Sequence, residues 1–490
     1  MQRNKIFSNL FWRFLERCGA QGVTLIVSVV LARIIAPTVY GTISLITVFT
    51  AILQVFVDSG LGNALIQKKD ADDIDFSSVF YFNMVLCSCL YALMFLAAPL
   101  IASFYSNNDL VNLIRVMSFI LIISGFKNIQ QAYVSRHMLF KKFFYATLGG
   151  TIGSAVIGIW MAYHGYGVWA LVAQNLFNQS IDTLILWITV KWRPKLCFSW
   201  NNFKSLYSYA WKLLFSNLID TFYQKVRQLL IGKYYSAADL AYYNQGQQIP
   251  YAVINNINTS IDSVLLPAIS SEQENINRVK SMTRRAIKIG TYIITPTMMG
   301  IAIIAEPLVR LVLTEKWLPC VFFLRVSCIT FMFRPVNTSN LSAIKALGRS
   351  DIVLKLEIIK KVLGFVILFG TIWFGVEIIA LGLLLSSIIT QIVNAWPNNK
   401  LLNYRYFEQL KDIIPNIFLS IAMGVIVYCI SLIELNDFIT LILQFFIGIS
   451  IYIGGSMLCK MESYYYVLNT VKGFMKHMKE KQKMARSIQK

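Results

Sequence analysis

The sequence predicts an all-α polytopic membrane protein: fourteen transmembrane helices, built as two parallel six-helix repeats with two further helices appended. Three observations predict it. The 490 residues are 56% hydrophobic and only 14% charged, whereas soluble domains run nearer 25% charged. The connections between apolar stretches alternate between basic and nearly uncharged. The chain also matches itself, weakly but in order, at an offset of about 200.

A span needs about 20 apolar residues. The first is read at 14–35, where the basic amphipathic opening "MQRNKIFSNLFWRFLERC" leads into the apolar run from Val23 to Ile35. That opening is read as part of the first helix, not as a cleavable signal. Spans 2 to 6 fall at 41–66, 78–104, 110–126, 143–163 and 168–190. Spans 7 to 12 fall at 206–232, 240–268, 286–305, 320–341, 355–374 and 377–396, and the appended pair at 412–433 and 437–459. The expected divisions are an N-lobe over 1–200, a C-lobe over 201–405, spans 13 and 14 over 406–460 and a basic tail over 461–490.

The net charge is +21, and the connections alternate in charge. "SRHMLFKK", "KWRPK", "NRVKSMTRRAIK", "AIKALGRSD" and both ends are basic, "QKKDADDIDF" and "NNKLLNYRYFEQLK" basic or mixed, while "FYSNND", "YHGYG", "FGVE" and "IELND" carry almost no Lys or Arg. Cytoplasmic loops collect Lys and Arg, so both termini are placed in the cytoplasm, as an even span count also requires. On a soluble protein this charge would suggest nucleic acid; here it sets topology, and no nucleic-acid partner is expected. The terminal "KGFMKHMKEKQKMARSIQK" is read as a solvated tail that fixes topology, with a lipid-binding or regulatory helix as the other reading.

The repeat lays "VLARIIAPTVYG" (30–41) over "LIGKYYSAADLA" (230–241), "LIRVMS" (113–118) over "FLRVSC" (323–328), and "HGYGVWALV" (164–172) over "FGVEIIALG" (374–382). Arg115 then falls on Arg325, and Gly165 on Gly375. An even-numbered unit re-enters the membrane in its original orientation, so the repeats are parallel, a type found in secondary transporters. Two matching bundles would leave a cleft between them.

Span 8 is unusually polar. Asn244, Gln248, Tyr251, Asn255, Asn258 and Asp262 are spaced 4, 3, 4, 3 and 4, which holds them on one helix face. In span 7, Ser216, Asp220, Gln224 and Arg227 share a face, with Asn217 at its edge and Lys225 pointing elsewhere. Span 2 has a thinner stripe of Ser44, Thr47, Gln54 and Asp58. Interhelical amide bonds in membranes average under about 1 kcal/mol, so so many on one face predict a wet cavity lining rather than glue. An Arg or Asp at mid-membrane costs about 2.5–3.5 kcal/mol even on lenient scales, and such residues mark transport paths. Arg17, Arg33, Arg115, Arg325 and Arg334 stand near span ends, where snorkelling to headgroups and a cavity role are both open.

Amides suit sugar hydroxyls, and guanidinium groups match phosphate oxygens. The lining therefore predicts an anionic, hydroxyl-rich cargo. Asp220, Asp58 and Asp262 are candidates for coupling to an ion. No Walker A, HExxH or GxSxG sequence is present, and "SGLGNAL" (59–65) is a lone glycine pair. Eight scattered cysteines without CxxC and three dispersed histidines predict neither metal site nor cofactor. A membrane glycan polymerase or ligase would need a large outer loop, whereas the longest here is "AEPLVRLVLTEKWLP", so an enzyme is not expected. A drug/cation antiporter would need a cavity dominated by acids.

"DSGLGNALIQKKD" (58–70), "HGYGVWALVAQ" (164–174), "IGKYYSAADLAYYNQGQQIP" (231–250), "EPLVRLVLTEKWLP" (306–319) and "AIKALGRSD" (343–351) resemble bacterial polysaccharide flippases of the Wzx type, within the multidrug/oligosaccharidyl-lipid/polysaccharide exporter superfamily. The resemblance covers roughly residues 10 to 460. It implies two six-helix lobes in a V shape, as in the multidrug exporters of the superfamily, in the bacterial inner membrane. It further implies outward translocation of undecaprenyl-diphosphate-linked oligosaccharide for surface polysaccharide, by a monomer working beside polymerase or export machinery. Cationic cavity residues are implied too, and Arg227, Lys225 and Arg334 are the positions that would serve.

Overall fold

The computed structural model describes residues 2–58, 60–68, 70–433, 435–470 and 472–473. Among them the regular structure is helical throughout. The first part holds α1 (Gln2–Ile34), α2 (Pro37–Asp58), α3 (Leu61–Gln67), α4 (Asp73–Phe104), α5 (Leu110–Met117), α6 (Ile120–Arg136), α7 (Phe140–Tyr163) and α8 (Val168–Thr189). The second holds α9 (Trp200–Tyr234), α10 (Ala237–Ser270), α11 (Ile276–Ile303), α12 (Ala305–Val312), a 3-10 turn at Glu315–Trp317, α13 (Cys320–Met332), α14 (Arg334–Ala346), α15 (Ser350–Thr371) and α16 (Val376–Leu402). The appended pair is α17 (Tyr406–Ser431) and α18 (Asp437–Leu458).

Every span read from the sequence is found as helix, but three are broken. Span 2 divides at Gly60, whose φ of 72° lies in the left-handed region that glycine tolerates. Span 4 divides into α5 and α6, where backbone bonds tighten to Phe119 N–H→Val116 O and Leu121 N–H→Ser118 O. Span 10 divides at Phe333, because Pro335 at the start of α14 has no amide hydrogen to continue α13. Nine segments of the described residues are long and apolar enough to cross a membrane by length and composition. The helices α1, α8, α9, α10 and α15 fall below that threshold.

The duplication is visible in the backbone. Pro37 opens α2 and Ala237 opens α10, two hundred residues on. Leu110, Arg136 and Phe140 bound elements whose counterparts begin or end at Cys320, Ala346 and Ser350, an offset of about 210. Met138 (φ 54°) matches Gly348 (φ 73°), and Gly165 (φ 79°) matches Gly375 (φ 111°). The additional ten or so residues are α12 and the 3-10 turn, which have no counterpart in the first half.

Two compact units divide the chain, Met1–Ala241 and Tyr242–Lys490. In the first, α7 packs between α1 and α8, α4 packs on α5 and α6, and α9 packs on α2 and α3. Gly41 of α2 admits the start of α10: a Cβ there would stand 1.7 Å from the Ala237 carbonyl oxygen. In the second unit α11 is the centre, flanked by α13, α14 and α17. Asp412 of α17 accepts both Nε and Nη2 of Arg284 on α11 (2.7 Å each) and the Tyr404 hydroxyl (2.7 Å). Higher on the same seam Asn416 donates to Thr291 Oγ1, and Tyr292 to Ser456 Oγ of α18. These bonds fasten the appended pair to α11.

Candidate functional site

The predicted face of α9 is graded. Ser216, Asn217 and Gln224 are exposed and Asp220 is half-buried, whereas Arg227, one turn on, is only 9% exposed. The Arg227 Nε finds no hydrogen-bond acceptor among the described residues. A guanidinium so placed has an unmet donor in a site largely closed to water. Lys225 turns along its own helix, where Nζ donates to Gln228 Oε1 at 3.3 Å. The two cations are thus unlike in what they leave available.

The α10 stripe also divides. Gln248, Tyr251 and Asn255 are exposed, and Asn244 is half-buried. One turn further the side chains meet α14 instead: Asn258 Nδ2 donates to Thr338 Oγ1 (2.6 Å), and Ser342 Oγ donates to Asp262 Oδ1 (2.7 Å). At this end the stripe meets α14, where Thr338 and Ser342 sit one turn apart and match the spacing of their partners. The Asn258 Oδ1 stays buried without a partner.

Charges near span ends resolve individually. Arg115 Nε points at the Phe95 carbonyl (3.4 Å), and the guanidinium lies 4.3 Å from the Phe95 ring centre. Arg325 Nε donates to the Ala302 carbonyl (3.2 Å), with Glu306 at 3.9 Å. Each of these repeat-equivalent arginines reaches the backbone of an earlier helix, Arg115 that of α4 and Arg325 that of α11. Arg334 is exposed and stands 5.8 Å over the Phe331 ring. Arg33 is exposed, and the side chain of Arg17 lies outside the described residues. Asp58 accepts from Gln54 Nε2 (3.4 Å) and Asn128 Nδ2 (3.0 Å). The α9 face belongs to the first unit and the α10 face from Tyr242 on to the second.

Sequence reasoning missed a second polar system inside the first unit. Lys127 of α6 pairs with Asp182 of α8 at 2.5 Å, and Gln179 and Asn178 of α8 bond Ser124 and Ser154. A signal existed: Gln174, Asn178 and Asp182 recur every four residues. The second unit holds a matching amide core. Asn398 donates to Asn340 Oδ1 (2.7 Å), Asn340 to Gln409 Oε1 (2.9 Å), and Asn394 to Asn337 Oδ1 (3.3 Å). Among the described residues no three or more His, Cys, Asp and Glu gather where a metal ion could be held.

A model of the family described as "Polysaccharide biosynthesis protein" matches residues 30–322. The teichuronic acid biosynthesis protein TuaB of Bacillus subtilis (strain 168) is 24% identical over 401 residues, 78% of this chain and 80% of that protein. The lipopolysaccharide biosynthesis protein WzxC of Escherichia coli (strain K12) is 22% identical over 435 residues, 88% of each. Among solved structures, the lipid II flippase MurJ in an inward closed conformation aligns with a TM-score of 0.74 and 17% identity, over 93% of this chain and 99% of that one. An inward-facing multidrug resistance MATE family transporter of the MOP superfamily aligns at 0.61 and 16%, over 77% and 94%. At these identities the structural likeness establishes the fold: an all-α, multi-pass membrane architecture.

Proposed function

As a member of the polysaccharide biosynthesis protein family, we propose, this chain is a flippase that carries lipid-linked oligosaccharide from the cytoplasmic to the outer leaflet by alternating access. The observation that carries the reading is the α9–α10 chemistry. Helices α9 and α10 expose amides at Asn217, Gln224, Gln248 and Asn255, and the closed-in Arg227 guanidinium has an Nε with no acceptor among the described residues. Amides match sugar hydroxyls in both donor and acceptor sense, and guanidinium matches a diphosphate. Within the first unit, Arg227 would take the diphosphate, with Lys225 as a secondary charge, and Asn217 and Gln224 would meet sugar hydroxyls. Within the second, Asn244, Gln248 and Asn255 offer the same amide chemistry and Arg334 a further cation.

A diphosphate with about two negative charges is drawn out of a negative-inside cell by roughly 4–5 kcal/mol per 100 mV if it crosses the whole field. Transport in that direction needs no catalytic step. The drug/cation antiporter reading is not favoured, since the similar curated proteins are named for teichuronic acid and lipopolysaccharide biosynthesis. The chain would work as a monomer in the bacterial inner membrane with both termini cytoplasmic, delivering to polymerase or export machinery, and undecaprenyl diphosphate is the proposed lipid.

The test is a leaflet assay in cells lacking the gene. Undecaprenyl-linked sugar should accumulate in the cytoplasmic leaflet and be cleared by the restored wild-type gene. Unchanged outward delivery in the deleted cells refutes the reading.

A further inference from the structure

Beside the Asp412 seam, the second unit holds a cavity of about 360 Å³. Its floor is apolar and comes from one face of α17, where Pro415, Leu419 and Ala422 are spaced 4 and 3, with Met461 beyond α18. On the adjoining face of α17, Ile414, Phe418 and Ile421 are exposed, so the floor continues into surface that a bilayer would cover. The rim is polar. Residues 462–470 form a last helical stretch after α18, anchored where Tyr464 and Val467 pack on the cluster of Tyr292, Met423 and Tyr452. Glu462 and Ser463 begin that stretch and line the cavity, and first-turn amides have no acceptor inside their own helix. Ser463 is only 7% exposed, and its hydroxyl has no hydrogen-bond partner among the described residues.

Most charges around this rim are spent on one another. Arg284 grips Asp412, and Lys288 Nζ donates to Glu462 Oε2 at 2.9 Å with Asp412 Oδ1 at 3.6 Å. Asn416 is engaged as well, donating to the Lys288 carbonyl and to Thr291 Oγ1. Arg285 is the exception. It is exposed, lies 5.1 Å over the Tyr466 ring, and has no carboxylate in ion-pair reach among the described residues. The hydrogen bond from Lys288, with Arg285 and Arg284 close by, holds the Glu462 carboxyl below the usual carboxylate range. Arg284, Arg285 and Lys288 against Asp412 and Glu462 leave the rim with one positive charge in surplus.

We propose that this cavity binds a monoanionic phospholipid of the surrounding bilayer, such as phosphatidylglycerol, with its phosphate against Ser463, Lys288 and Arg285 and an acyl chain along the α17 floor. The lipid is a resident of the protein and not its cargo, so the inference stands apart from the flippase reading. A phosphodiester brings the single negative charge that the rim lacks, and its oxygens accept from hydroxyl, first-turn amide, ammonium and guanidinium alike. The Glu462 side chain is 72% exposed, so it can turn to water when phosphate takes its place on Lys288. Basic pockets between membrane helices suit lipid headgroups, and the exposed Tyr465 and Tyr466 suit headgroup depth. The floor selects lipid over free phosphate, which would gain nothing from Pro415, Leu419 and Ala422. The rim selects against phosphatidylethanolamine, whose ammonium would enter a field already in cationic surplus. Bound there, the lipid joins α11 to the stretch beyond α18 and reinforces the seam that holds the appended pair.

The test is lipid binding to the purified full-length protein in neutral detergent, with bound lipid counted by native mass spectrometry as phosphatidylglycerol or phosphatidylethanolamine is titrated. Wild type should hold phosphatidylglycerol about tenfold more tightly. Arg285→Ala, at an exposed position, should lose about tenfold of that affinity and Ser463→Ala about threefold. Ala422→Leu, which fills the floor, should weaken phosphatidylglycerol too. Arg310→Ala, beside the start of α18, should bind as wild type does. Equal binding of the two lipids, or unchanged affinity in both Arg285→Ala and Ser463→Ala, overturns the proposal. Displacement by glycerol phosphate at the same concentration as by intact lipid also overturns it, since the site would then read phosphate alone. So does displacement of phosphatidylglycerol by undecaprenyl phosphate at lower concentration, which would give the cavity to the cargo.

Discussion

Arg227 and Lys225 are two residues apart and carry the same charge, yet their surroundings separate them. Loss of an interaction between a charged donor and its acceptor costs about 1.5–3 kcal/mol, so Arg227→Ala should lower oligosaccharide transport roughly tenfold or more. Lys225 is already held by Gln228 on its own helix, and Lys225→Ala should cost about twofold, as for a screened charge. Initial rates in proteoliposomes decide this, and equal losses would mean that Arg227 does not meet the cargo. A second residue-scale expectation concerns the connection before α15. The Arg349 guanidinium grips both oxygens of Asp351 (3.0 Å each) and holds its carboxyl down to about 2. With a folded value below the unfolded one, the pair stabilises above the ordinary carboxylate range and loses that contribution as pH falls through about 2. A carbon-13 titration of the labelled carboxyl should show Arg349→Met returning Asp351 toward its ordinary value. The stripes that carry Arg227 and Asp58 were legible from spacing alone. The burial of Arg227 was not, because exposure depends on which neighbour covers a face, and spacing contains no neighbours.

Elements show where small residues and polar bonds decide packing. A Cβ on Gly41 would sit inside the Ala237 carbonyl, and because that obstacle is backbone the helices themselves must part. Gly41→Ala should therefore destabilise by about 1–3 kcal/mol, read as a lower melting temperature in detergent; an unchanged melt would mean that α2 does not approach so closely. Gly348 and Met138 are repeat partners in the same left-handed conformation, and Gly348→Ala should cost about 1 kcal/mol. Gly348 has open space around the Cβ position, so the cost is conformational and not steric. The seam of the appended pair depends on Asp412, whose side chain is 4% exposed against Arg284 at 50%. Removing a buried partner costs 3–5 kcal/mol when both ions are buried; because Arg284 can rehydrate, Asp412→Ala should cost about 2 kcal/mol. Proteolysis of the α16–α17 connection should quicken in that variant. Fourteen apolar runs predicted the helices well, since length and hydropathy are local properties. The break in span 4 was harder to see, because a 3-10 tightening leaves no gap in hydropathy, whereas Pro335 marks the one in span 10.

For the whole molecule, orientation follows from charge. A cysteine introduced at Asn107, in a connection without Lys or Arg, should react with an impermeant thiol reagent on intact cells, and one at Lys195, in a basic connection, only after permeabilisation. The opposite pattern would invert the direction of transport proposed here. Duplication also acts at this scale. Arg115 and Arg325 perform the same backbone tie in both halves, whereas the sealed Lys127–Asp182 pair belongs to the first half alone: Asn337 and Ile392 stand at the corresponding positions of the second. The halves share an architecture and have diverged in chemistry, with an ionic core in one and an amide core in the other.

By itself, the sequence determined that the chain is an all-α, multi-pass membrane protein and that it contains two related halves. Each of these is a sum of local terms: apolar length and residue order. The tertiary structure alone decided which polar residues are left for a cargo and which are consumed by neighbours. Asn258 and Asp262 go to α14, Arg115 and Arg325 to preceding carbonyls, and Lys127 finds Asp182 from fifty-five residues away. A polar group in a membrane must be satisfied by whatever lies within about 3 Å, and that partner is chosen by packing between helices, which no single helix records.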